Sequence, residues 1–163
     1  MPYKRFMKKA FDAKASIILG MHDAIVSLTG LIVGLFFALT DAKIIVLSCI
    51  ISSITAGLSM GAANYLAVKT TNKNNALRAA LYTGLAYMAT CMFLILPFFL
   101  FYNRILTILS VFIIVILIIY FFNYVFYRGK SFYKHFFEML SICLGISLVA
   151  FAIGEAAKYF LGV

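Results

Sequence analysis

The chain has 163 residues, 65% of them hydrophobic and 12% charged, with a mean hydropathy of +1.07 and a formal net charge of +9. Soluble domains run at roughly 45–50% apolar and about 25% charged, so these values exclude a soluble enzyme and, despite the positive charge, a nucleic-acid-binding domain. The length is too short for two domains, and one membrane domain over residues 1–163 is expected.

In chain order, the first element is a short amphipathic segment over 1–14. Tyr3, Phe6, Met7, Ala10 and Phe11 recur at helical spacing, and Lys4, Arg5, Lys8, Lys9 and Asp12 take the other face. That pattern predicts a helix lying on the membrane surface, in contact with anionic lipid. A hydrocarbon core about 30 Å thick needs roughly 20 apolar residues in a helix. Five stretches qualify, at 15–39, 44–68, 76–101, 105–127 and 136–161. Backbone polar groups in lipid must be satisfied within the segment, so these are helices. The expected class is all-α integral membrane with five transmembrane helices, and the short polar connections predict antiparallel neighbours. The first apolar run is too long for a cleaved signal and is followed directly by another span. Cys49, Cys91 and Cys143 stand far apart in apolar runs and read as core residues rather than a disulfide or zinc framework.

Basic residues set the orientation. Eleven of the fourteen lie before the first span, in the 69–78 connection or in the 128–134 connection, whereas Lys43, Arg104 and Lys158 lie on the other side. The positive-inside rule places the N-terminus in the cytoplasm and the C-terminus outside or in a lumen.

Ionisable groups inside a span cost several kcal/mol and mark pathways or pairs. Here they are His22 and Asp23 in the first span, and Glu138, Glu155 and Lys158 in the fifth. Asp23 lies about eight residues from the basic side of its span, roughly 12 Å deep. Met60 is at a similar depth on the oppositely directed second span, with Asn64 one turn nearer the cytoplasm. A carboxylate, a thioether and an amide oxygen can meet there, and that mixed donor set suits ferrous iron, with manganese as the harder alternative. The bland reading of Asp23 is a carboxylate reaching Lys14 or the headgroups; Met60 alone reads as core filling and Asn64 alone as an interhelical hydrogen-bonding residue. His22 points about 100° away from Asp23 on an ideal helix and joins the site only from an unwound or tilted end. Glu155 and Lys158, spaced i, i+3, are expected to pair, with Glu155 otherwise available as a release-side carboxylate. Glu138 is expected to pair with Lys134, His135 to touch headgroups, and Met88 and Met92 to pack or, less readily, to form a soft-metal lane.

Gly30 and Gly34 on the first span and Gly57 and Gly61 on the second have the Gly-x-x-x-Gly spacing that lets helices approach closely. These two spans are expected to form the packed centre, the first pair of glycines serving within the monomer or across a dimer. The fourth span, with Ile113 to Ile119 free of small residues, is expected to face lipid. No phosphate-cradling loop, Ser/His/Asp set or His-Glu-x-x-His occurs, so no enzyme is expected.

Two stretches carry a resemblance. His22-Asp23-Ala24-Ile25-Val26-Ser27 resembles the first-helix motif of the vacuolar iron transporter family, commonly Asn-Asp-Gly-Leu/Ile-Val-Ser. Ala56-Gly57-Leu58-Ser59-Met60-Gly61-Ala62-Ala63-Asn64-Tyr65-Leu66 is similar to its second-helix motif, commonly Ala-Gly-x-x-Ser-Met-x-x-x-Glu-Tyr-Leu/Val. The resemblance implies a five-helix homodimer that moves ferrous iron or manganese out of the cytoplasm in exchange for protons. The family's transport aspartate and methionine fall on Asp23 and Met60. The metal is cargo, and no resident cofactor is expected. His22, Ala24 and Asn64 depart from the family's Asn, Gly and Glu, and the long metal-collecting segment of plant-type members is absent between the second and third spans, which leaves capture to the short connection or to a soluble metal-delivery partner. The rival readings are an uncoupled cation pathway and a non-transporting scaffold or membrane anchor for a soluble partner. A prokaryotic cytoplasmic membrane is favoured over a vacuolar one.

Overall fold

The computed structural model describes residues 13–71, 73–126 and 132–161. The surface helix expected over 1–14 lies outside the described residues except for its last two positions, which open the first helix. Helix α1 spans Ala13–Ala38, α2 Ala42–Lys69, α3 Ala76–Ile95, α4 Pro97–Leu100, α5 Arg104–Phe126 and α6 Phe132–Leu161, with a single 3-10 turn at Lys73–Asn75 before α3. There is no strand among the described residues. Among the described residues five helices, counting α3 and α4 as one span from Lys73 to Leu100, are long and apolar enough to cross a membrane. The protein is an all-helical integral membrane protein.

The helix boundaries have local causes. The Asp41 carboxylate accepts from the Lys43 N–H at 2.8 Å and starts α2. Asn103 does the same for α5, accepting from Ile105 N–H at 2.9 Å. Pro97 has no N–H to continue the α3 ladder; α3 ends at Ile95, and α4 follows as one turn with Pro97 at its start.

Helix α1 is the centre of the bundle. It packs closely against both α3 and α6, while α3 packs against α2 as well. Direct packing of α1 on α2 is lesser, so α3 rather than α2 is the main neighbour of α1 on that side. The glycines show why. A side-chain carbon added at Gly57 would sit 2.9 Å from Met88 Cγ, one at Gly61 3.1 Å from the Ala80 carbonyl oxygen, and one at Gly84 3.1 Å from the Gly57 carbonyl oxygen. On α1, a carbon at Gly30 would meet Ile146 at 3.0 Å, and one at Gly34 would meet the Ala150 carbonyl at 3.2 Å. Gly154 of α6 lies directly against the Gly34 backbone, and Gly20 against that of Thr83. The two glycine pairs therefore do not join the first two spans to each other, as the spacing suggested. One pair seats α6 on α1, and the other seats α3 on α2 (small-residue spacing marks a close contact but not its partner).

The fourth span is also not wholly lipid-facing. Val111, Val115, Ile119, Phe122 and Asn123 of α5 are buried, at the three- and four-residue spacing of one helix face. Residues on other faces, such as Ile113, Leu117 and Phe121, are exposed. All three cysteines are free and buried in the interior, as their apolar surroundings predicted.

Candidate functional site

Asp23 stands ten residues into α1, about 15 Å along the helix. Met60 is nine residues from the other end of α2, about 14 Å in. Counted to the helix ends the two depths are similar, but the Asn64–Ser16 hydrogen bond described below sets Met60 a few ångström nearer the basic end than Asp23. Asp23 is half-buried, and its carboxylate makes no hydrogen bond or ion pair with a described residue. Lys14, its suggested partner, instead donates to the Phe126 carbonyl at 3.3 Å and rests over the Phe126 ring, 5.1 Å from its centroid. Met60 is partly buried against the core.

One turn beyond Asp23, the Ser27 hydroxyl donates to the Asp23 carbonyl at 2.6 Å. Its one proton is thereby used, so in the 2.8 Å contact with Tyr87 Oη it is the tyrosine that donates. Tyr87 is 1% exposed and fixes α3 to α1 beside the carboxylate. Ser27 closes the first-helix stretch that carries the family resemblance but had no role assigned to it there, and Tyr87 lies in neither stretch; the sequence signal for the pair is only a hydroxyl one turn from an intramembrane acid.

Asn64 occupies a separate layer nearer the basic end. Its amide nitrogen donates to Thr83 Oγ1 at 2.6 Å, Ser16 Oγ at 3.2 Å and the Ala79 carbonyl at 3.3 Å. Thr83 Oγ1 in turn donates to the Ser16 carbonyl at 3.0 Å. The buried amide thus clasps α1, α2 and α3, and Ser16 lies seven residues, about 10 Å, below Asp23.

His22 turns away from Asp23. Its ring packs on Phe122 of α5, 4.6 Å between centroids, and its buried Nε2 has no hydrogen-bond partner among the described residues. Glu155 lies at the far end of the bundle and lines a cavity of about 430 Å³ together with Asp41, Arg104 and Lys158. It forms no ion pair with Lys158, contrary to the i, i+3 expectation; both side chains are exposed, where such pairs contribute little. Glu138 likewise meets His135, 3.5 Å away, rather than Lys134. Met88 packs on Gly57, whereas Met92 is 72% exposed, so the two do not line one interior lane. Among the described residues no group of three His, Cys, Asp or Glu side chains converges on one point. Within one chain, then, Asn64 is held in a layer nearer the basic end than Asp23, Met60 stands one turn of α2 above Asn64, and His22 and Glu155 are directed elsewhere. The arrangement offers one ionisable oxygen ligand in mid-span, with the Met60 thioether about a turn nearer the basic end on α2.

The comparison with known proteins falls on these same elements: residues 15–75 match the VIT family, from the first turn of α1 through α2 to the turn before α3. No curated protein matches the chain.

Proposed function

We propose, on the premise that the match of residues 15–75 to the VIT family reflects membership in it, that the chain carries a divalent transition metal, ferrous iron or manganese, out of the cytoplasm in exchange for protons. The match points to metal-ion transport across a membrane; the observation that carries the finer reading is the half-buried Asp23 carboxylate, which has no partner among the described residues. An ionised carboxylate in a span is costly unless paired, so it holds a proton or a cation. Metal requires the deprotonated form, and competition for one carboxylate couples the two fluxes. Met60 supplies the soft donor that disfavours magnesium and calcium. A single chain provides too few ligands to enclose an ion, which supports a homodimer in which two copies of Asp23 and Met60 share the cargo. The connection from Thr70 to Asn75 is too short to collect metal, which favours delivery by a soluble partner.

Purified protein in liposomes loaded with a metal-quenched dye and a pH dye tests this. Ferrous iron and manganese are supplied with and without a pH gradient to wild type and Asp23→Asn. Gradient-driven quenching with matching proton movement, both lost in Asp23→Asn, is expected. Metal flux without proton movement would indicate the uncoupled pathway. No flux under any gradient would favour the scaffold reading, which the commitment of the Asn64 amide to helix clasping supports.

A further inference from the structure

A cavity of about 810 Å³ opens between α1, α3 and α5, lined almost wholly by apolar side chains that include Ile17, Met21, Leu85, Phe93 and Phe121. It faces the surface that the fold presents to the bilayer. Along α3 it runs from Tyr82 to Leu96, fourteen residues or about 21 Å, which exceeds half of a hydrocarbon core about 30 Å thick. The space is therefore long enough for one acyl chain inserted from one leaflet.

Its basic end has the matching chemistry. Lys14, Ile17 and Met21 follow one another at i, i+3 and i+7 on α1, so Lys14 stands on the stripe that lines the groove, one turn below its mouth. The Phe126 carbonyl and ring hold its ammonium between α1 and the end of α5. On α3, Arg78, Tyr82 and Leu85 have the corresponding i, i+4 and i+7 spacing. Arg78 is exposed and makes no hydrogen bond or ion pair with a described residue. Two cations from two helices thus flank the end of a chain-length apolar groove, on the side where basic residues concentrate.

We propose that this groove binds one anionic phospholipid, with an acyl chain along α3 and α5 and the phosphate between Lys14 and Arg78. The site is separate from Asp23 and Met60 and does not depend on the transport reading. Arg78 offers a planar fork suited to two phosphate oxygens, and Lys14 a point charge. A zwitterionic lipid fits the apolar part equally well but gains less from two cations, so the headgroup charge decides.

Native mass spectrometry of the full-length protein released from micelles containing phosphatidylglycerol or phosphatidylcholine tests the proposal. One retained phosphatidylglycerol per chain is expected, with weaker retention of phosphatidylcholine. Arg78→Ala and Lys14→Ala should each weaken phosphatidylglycerol retention about fivefold, the size of one basic charge near an anionic surface. Ala89→Phe, which fills the groove, should remove it. Arg78 is exposed, so its variant keeps the assay decisive if Ala89→Phe fails to fold. Equal retention of both lipids, or retention unchanged in Arg78→Ala, would overturn the site. Displacement of the lipid by excess inorganic phosphate would overturn the acyl-chain component. A shift from dimer to monomer in Ala89→Phe with unchanged lipid retention would assign the groove to a second copy instead.

Discussion

Tyr87 donates a hydrogen bond to Ser27 at 2.8 Å, one turn from Asp23, and so ties the mid-span carboxylate's helix to α3. Tyr87→Phe keeps the packing and removes the hydroxyl that makes this link. Interhelical hydrogen bonds in membranes contribute about 0.6 kcal/mol on average and up to about 1.7, so a small loss of stability in detergent unfolding is expected. Metal transport should fall by more than stability does, because the geometry around Asp23 is loosened. Unchanged flux in Tyr87→Phe would show that the link is only structural.

Metal binding at Asp23 should weaken as the pH falls. Protonation removes the form that binds metal, so the metal affinity of the purified protein is lost toward low pH and regained toward neutral. Calorimetry in two buffers of different ionisation enthalpy reads the protons released on binding. Asp23→Asn should abolish both the affinity and its pH dependence. Persistence of a pH-dependent affinity in that variant would place the exchanging group elsewhere.

Met60→Leu conserves volume while deleting the thioether. Competition by magnesium and calcium against ferrous iron should rise severalfold in liposome uptake, with little change in folding. A selectivity profile identical to wild type would remove Met60 from the cargo path.

Glycine substitutions should separate by position. Gly154→Leu and Gly84→Leu force side chains into facing backbone and should destabilise the bundle by at least the ~1–3 kcal/mol typical of overpacking. Gly145→Ala on α6 meets nothing within 4 Å and should be neutral or slightly stabilising, because alanine is the better helix former. Thermal unfolding monitored by tryptophan-free methods, such as a thiol-reactive dye on the buried cysteines, gives the ranking.

Arg104 reaches across from α5 to the end of α1, donating to the carbonyls of Phe36 and Leu39, the latter at 2.6 Å, while its guanidinium lies 4.4 Å from the Phe36 ring centroid. Arg104→Ala should cost about 1–3 kcal/mol, since it leaves helix-terminal carbonyls unsatisfied. Lysine at this position should restore only part, because it lacks the planar fork.

The spans were readable because apolar length alone dictates a membrane helix, and their ends fell within a few residues of Asp41, Asn103 and the other local stop signals. Depth within a span was readable only to about a turn, since helix rise is fixed but the register of α1 against α2 is set by the Asn64–Ser16 hydrogen bond, which the count to the helix ends does not see. Partner choice was not. Gly30 and Gly34 have the same spacing whether they receive α2 or α6, and only the three-dimensional arrangement selects Ile146, Ala150 and Gly154. The same holds for Asn123, an amide in an otherwise apolar span, which is 1% exposed and donates to the Ile119 carbonyl at 2.8 Å. Glu155 and Lys158 illustrate the opposite error: the sequence spacing permits an ion pair, but at an exposed helix end solvent competes and the pair does not form.

The central position of α1 also bears on biogenesis. It is the first of the five spans in chain order, yet two of its principal partners, α3 and α6, come third and last. During synthesis the seam of Gly30 and Gly34 must wait in the bilayer, covered by lipid or by an insertion factor, until the final helix arrives. A nascent chain halted before Phe132 would display that small-residue seam to any neighbouring helix, so assembly of this protein is committed only when its last span enters the membrane.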